Sequence, residues 1–185
     1  MKEIEITKSM LEFAAKKTKA AEAEEWDKKK SVTGFRARRA GFLGEAAFCE
    51  TFNAESQNTF NHDAILEGKL FDIKTKRSLY VPNPSYWEGT VPGYSEQDPD
   101  YFAFFNIRFD KMEGKGKQAQ YYRPLKIYFG GVMSYEDYLE KRFLVEEGEK
   151  YSTNNDTAHI PQWNVYWRDL KDISKINLTN SKNLV

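Results

Sequence analysis

The stretch that decides the fold runs Asp63-Ala64-Ile65-Leu66-Glu67-Gly68-Lys69-Leu70-Phe71-Asp72-Ile73-Lys74-Thr75. Two short apolar runs flank Glu67-Gly68, where glycine supplies the freedom of a tight turn, so 63–66 and 69–75 read as a β-hairpin. Counting outward from a two-residue turn pairs Leu66 with Lys69, Ile65 with Leu70, Ala64 with Phe71 and Asp63 with Asp72. Side chains alternate faces along a strand, so Lys74 shares the face of Asp72, while Ala64, Leu66, Phe71 and Ile73 form a core surface on the other. Facing cross-strand residues have Cβ atoms roughly 5 Å apart. Two like charges there destabilise a largely buried strand pair unless a cation lies between them or one carboxyl holds a proton.

Hard oxygen ligands at that separation suit magnesium, with manganese as the alternative. Such an ion polarises a phosphoryl oxygen and acidifies a bound water, and Lys74 stands where it could orient the nucleophile or stabilise charge at the phosphate. Hydrolysis of a phosphodiester needs little more. The spacing acid-x-Lys alone discriminates nothing, because it recurs at Asp27/Lys29, Glu67/Lys69, Glu113/Lys115 and Asp169/Lys171. Only the copy at Asp72 and Lys74 has an aspartate placed opposite by a turn, apolar strand neighbours and a glutamate-bearing helix just before it.

That helix is read from Phe42, Leu43, Ala46, Cys49 and Phe52, which recur at helical spacing over residues 40–53 and carry Glu45. Upstream, a charged helix is predicted over about residues 9–30, and 34–39 reads as a short basic connector whose Arg36, Arg38 and Arg39 could grip phosphates. Lys76 and Arg77 continue the basic edge of the second hairpin strand, and His62 abuts the site. Residues 78–99 read as a long connection whose Tyr86, Trp87 and Tyr94 could stack on bases, although loop aromatics more often pack onto their own domain. Beyond it come a strand at 101–109, a turn at Gly114 and Gly116, a strand at 125–129, a helix from Ser134 to about Glu146 with a capping-box start, and a strand at 163–167.

With 28 basic and 28 acidic residues the net charge is +0, so attraction to nucleic acid must be local. Aromatics make up 15% of the chain, more than a disordered polymer carries, so the chain should fold. Cys49 is the single cysteine and can form no internal disulfide. No signal-like segment opens the sequence and no run of about 18 apolar residues occurs, which predicts a cytoplasmic protein, in a prokaryote or a viral host, that does not meet the membrane.

The residues from Gly41 to Lys76 resemble the PD-(D/E)XK nuclease superfamily, in arrangement closest to its Holliday-junction-resolvase-like and phage-type members. Asp63 matches the first aspartate, Asp72-Ile73-Lys74 the second element, and Glu45 in Gly44-Glu45-Ala46-Ala47 the helical glutamate; His62 stands where the name-giving proline would precede Asp63. The resemblance implies a restriction-endonuclease-like α/β domain over residues 1–185, with its catalytic core at about 40–150 and a mixed central sheet flanked by helices. It further implies catalysis by Glu45, Asp63, Asp72 and Lys74, with magnesium or manganese held by Asp63, Asp72, Glu45 and the backbone carbonyl of Ile73. The expected substrate is DNA, bound also by Arg36, Arg38, Arg39, Lys76 and Arg77; RNA and a homodimer stay open. The competing expectation is a nucleic-acid-binding or protein-interaction module that keeps such a fold without turnover.

Overall fold

A computed structural model describes residues 1–23, 35–57, 59, 62–93, 97–114, 120–151, 157–176 and 178, with backbone alone at 22, 23 and 35–37. Glu67 (φ 49°) and Gly68 (φ 77°) both adopt left-handed backbone, the mark of a two-residue type I′ turn, whose twist matches the strands it joins. The register follows as counted from the sequence: Leu66 faces Lys69, Ile65 faces Leu70 and Ala64 faces Phe71.

In chain order the elements are β1 (Lys2–Ile4), α1 (Lys8–Ala23), α2 (Phe35–Phe52), β2 (Glu55–Ser56), β3 (Ala64–Leu66), β4 (Lys69–Ser78), β5 (Glu88–Pro92), β6 (Tyr101–Phe109), β7 (Met112–Glu113), β8 (Gln120–Tyr121), β9 (Pro124–Ser134), α3 (Tyr135–Lys141), β10 (Phe143–Val145) and β11 (Gln162–Tyr166). Six strands form one curled sheet in the order β1-β9-β6-β4-β3-β2. Its β4/β6 pair is parallel and the other pairs are antiparallel, so the fold is α/β with a mixed central sheet. A second sheet, β10-β11-β5, is antiparallel.

The central sheet is covered on both sides. On one face α1 and α2 lay Met10, Ala14, Leu43 and Phe48 against Phe71, Ile73, Phe105 and Ile127. Fully burying a side chain of this size contributes about 1.5–3 kcal/mol, which gives the helices their place. On the other face Trp87, Val91, Val165 and Trp167 meet Phe102, Phe104, Tyr128 and Met133. Trp87 is therefore a core residue and not a loop platform, Tyr86 is exposed, and Tyr94 lies outside the described residues. The capping expectation holds at α3, where the Ser134 side chain accepts from Asp137 N. The helix ends at Lys141 instead of near 146 because the chain turns into β10.

Several expected boundaries are corrected. The basic connector at 34–39 is helical from residue 35, so Arg38 and Arg39 ride on the first turns of α2. The N-terminal helix is described to Ala23, and its expected end near residue 30 lies outside the described residues. The long connection at 78–99 holds β5, and β9 runs five residues past the expected Phe129. Among the described residues no helix is long and apolar enough to cross a membrane.

Candidate active site

Gly44 sets the site's depth. A Cβ at this position would stand 2.0 Å from Thr75 Oγ1, so only glycine lets α2 press against β4 at this level. The next residue, Glu45, is thereby held at the edge of β4. It is buried, and Lys17 Nζ, reaching over from α1, donates to its Oε2 at 2.7 Å and to the Gln57 carbonyl at 3.1 Å. Burial nevertheless pushes the Glu45 carboxyl above the usual carboxylate range, against the pull of Lys17, and the charge of Asp72 adds to the rise.

Asp72 is 1% exposed in the middle of the sheet. Lys74, two residues on and on the same face, brings Nζ to 2.6 Å from Asp72 Oδ2. The angle does not make this a hydrogen bond, and among the described residues that buried oxygen accepts none; the contact is one of charge alone. Lys74 donates instead to Gln97 Oε1 at 2.9 Å.

Asp63 stands one residue before β3. Its amide donates to the Phe71 carbonyl at 2.9 Å, while its Oδ2 accepts from the Ile73 amide at 2.7 Å. The carboxylate thus reaches along the edge of β4, where β3 gives out, and takes a ladder hydrogen bond that a longer strand would have filled. A strand residue presents its N–H and C=O on the same edge, so the Ile73 carbonyl leaves β4 on the side of Asp63. Burial above all, then the charges of Glu45 and Asp72, hold the Asp63 carboxyl well above its ordinary value, with Lys74 and the Ile73 amide opposing.

The geometry therefore brings Glu45, Asp63, Asp72 and Lys74 into one electrostatic neighbourhood at the edge of β4. Three carboxyls face two ammonium groups, Lys17 on Glu45 and Lys74 on Asp72. In this arrangement no three acidic, histidine or cysteine side chains among the described residues converge closely enough to encage a metal ion. Lys17 is the member that the sequence reading missed. Its signal was present: Met10, Ala14 and Ala21 are buried on α1, and Lys17 falls on the same stripe, where a lysine is out of place unless it meets an acid. Gln97 sends no comparable signal.

The flanking basic residues separate. Lys76 shares the face of Asp72 and Lys74, lies 4.8 Å above the ring of Tyr151, and is lowered by burial to about 8 against the charge of Glu88. Arg77 faces the helices instead, where Cζ sits 4.5 Å over the ring of Tyr121. The expected continuous basic edge is thus divided between two faces by the alternation of the strand. Arg38 is half-buried and Arg39 exposed, and the Arg36 side chain lies outside the described residues. His62 is tied to Thr59, whose Oγ1 lies 3.2 Å from its Nδ1. Comparison with protein-family models and with curated proteins finds no match for this sequence.

Proposed function

We propose that the chain is a metal-dependent nuclease acting on DNA phosphodiesters, with a restriction-endonuclease-like arrangement of its sheet and helices. The observation that carries this reading is Asp63, a carboxyl sunk beside Glu45 and Asp72 that makes no ion pair among the described residues. The buried Oδ2 of Asp72, which meets the charge of Lys74 but accepts no hydrogen bond among the described residues, is the second supporting observation. Both oxygens are hard donors, as are the Ile73 carbonyl and Glu45, and such a set fits magnesium or manganese. When bound, the ion would acidify a water and neutralise charge on a phosphoryl oxygen.

The chain's own part follows from its charges. Asp63 and Asp72 would supply the anionic cradle, with Glu45 approaching from the helix to add a third carboxylate. Lys74, whose Nζ lies 2.6 Å from Asp72 Oδ2, would orient the attacking water or meet charge developing on the phosphate. Lys17 keeps Glu45 turned toward the strand. The competing reading, a binding module without turnover, draws on one observation, that Glu45 and Asp72 are both already answered by lysines. Incubation of supercoiled plasmid with the protein separates the two. Nicking in magnesium or manganese, abolished by chelator and by Asp72→Asn, is expected; intact plasmid under every ion tested would leave the binding module.

A further inference from the structure

Some 16 Å beyond Asp72, at five residues of β4 with about 3.3 Å each, a groove of about 600 Å³ opens between the helices and the end of the sheet. Arg77 lines its strand side, Arg39 and Arg123 also border it, and Leu11, Leu43 and Phe109 give it an apolar wall. Arg77 is the unusual member. It is half-buried, and among the described residues it makes no ion pair; the ring of Tyr121 is what its guanidinium meets. Burial lowers its affinity for its proton, with the Tyr121 hydroxyl opposing. Arg123, by contrast, shares its charge with Asp110, Nε to Oδ2 at 3.4 Å.

A desolvated guanidinium without an anion is costly to keep, and phosphate is the anion whose geometry its fork matches. A bare phosphate would leave the apolar wall against water, whereas a ligand with a flat apolar body would cover it. The groove's volume lies in the range of small-molecule sites. We propose that this groove binds a nucleoside monophosphate unit, its phosphate on Arg77 and Arg39 and its base against Leu11, Leu43 and Phe109. The unit could belong to a DNA strand or be a free nucleotide, and the inference does not rest on the metal reading of the carboxylates.

Calorimetric titration with dAMP in chelator tests it. Wild type and Asp72→Asn should bind dAMP alike, Arg77→Met at least about 10-fold more weakly and Arg39→Ala a few-fold more weakly, as expected for loss of a charge-assisted contact. Inorganic phosphate should bind wild type at least about 10-fold more weakly than dAMP, because it leaves the apolar wall uncovered. Because Arg39 is exposed, its variant remains informative even if Arg77→Met loses the fold, which circular dichroism would report. Competition by a five-nucleotide deoxyoligonucleotide assigns the groove to a strand, and absence of competition assigns it to the free nucleotide. Loss of dAMP binding with plasmid nicking intact would remove the groove alone, and the reverse would remove the active-site reading alone. No binding of dAMP, equal affinity in both arginine variants, or phosphate binding as tightly as dAMP would overturn the proposal.

Discussion

Strand β4 presents two faces made for opposite environments. Toward the helices it shows Phe71 and Ile73, packed with Phe48 and Phe105 into a cluster of apolar side chains. Toward the second sheet it shows Asp72, Lys74, Lys76 and Ser78, and the buried polar residues Glu88, Asn106 and Asn164 gather around that face. Ser78 donates to Asn106 Oδ1 at 2.9 Å and Asn164 to Glu88 Oε2 at 2.6 Å. One face supplies hydrophobic stabilisation. The other spends part of it on polar groups that must be paired, an expense more often met at functional sites than elsewhere.

The largest effect expected from breaking this contrast is on activity. Asp72→Asn and Lys74→Ala should each lower metal-dependent plasmid nicking at least about 100-fold, the scale seen when one preorganised charge contact is lost; Lys74→Ala should also lower the thermal melt of the metal-free protein, because it leaves the buried Asp72 carboxylate without its cation. A wild-type rate in either variant would detach the polar face from chemistry.

Next in size comes the dry face. Phe105 is 1% exposed and lies 5.0 Å from Phe129, centroid to centroid, so Phe105→Ala should cost about 3–5 kcal/mol in denaturant unfolding. Glu88→Gln on the polar face should cost less, about 1–3 kcal/mol. Equal losses would mean that the two faces are not energetically distinct.

The third expectation concerns pH. Lys76 falls from the ordinary 10.5 to about 8 in the fold, so between those values the unfolded chain binds more protons than the folded one. Stability contributed by this group should therefore rise as pH climbs from about 8 to 10.5, by at most about 3 kcal/mol. Lys76→Met should flatten that slope; an unchanged slope assigns it to another group. Asp63 acts in the opposite sense. Its raised carboxyl means the folded chain holds the proton longer, so stability falls as pH rises above the ordinary aspartate value, and magnesium should oppose the fall.

The last effect is the most local. Gly44→Ala puts a methyl 2.0 Å from Thr75 Oγ1 and should cost about 1–3 kcal/mol through overpacking. Adding Thr75→Ala removes the clashing atoms and should recover most of the loss. If the double variant is no better than the single, the helix is held off the strand by something else.

What the sequence made legible follows the range of the interactions involved. The hairpin was readable because Glu67-Gly68 and the alternating residues beside it set the register by themselves, and Glu45 because a helix carries its residues at fixed spacing. Strand β1, three residues long, carries too little pattern to be seen, and β5 hides behind Gly89 and Pro92, which read as loop. The start of α2 was misplaced because Arg36, Arg38 and Arg39 gave no apolar stripe. The division of Lys76 from Arg77 was already implicit in the alternation used for Asp72 and Lys74. Lys17 could be marked from the apolar stripe of α1 as a lysine in need of an acid, but that the acid is Glu45 could not, because it lies in another helix and nothing local says how α1 crosses α2.

The position of β1 bears on the order in which the molecule comes together. Lys2, Glu3 and Ile4 pair with Phe129, Tyr128 and Ile127 on β9, whereas β3 and β4 meet across two residues. A short loop closes in a fraction of the time that a span of this length requires, and its entropic cost is smaller. Strand β1 can therefore take its place at the edge of the sheet only once β9 is available to pair with it, and that pairing closes a far longer loop than the β3/β4 turn does.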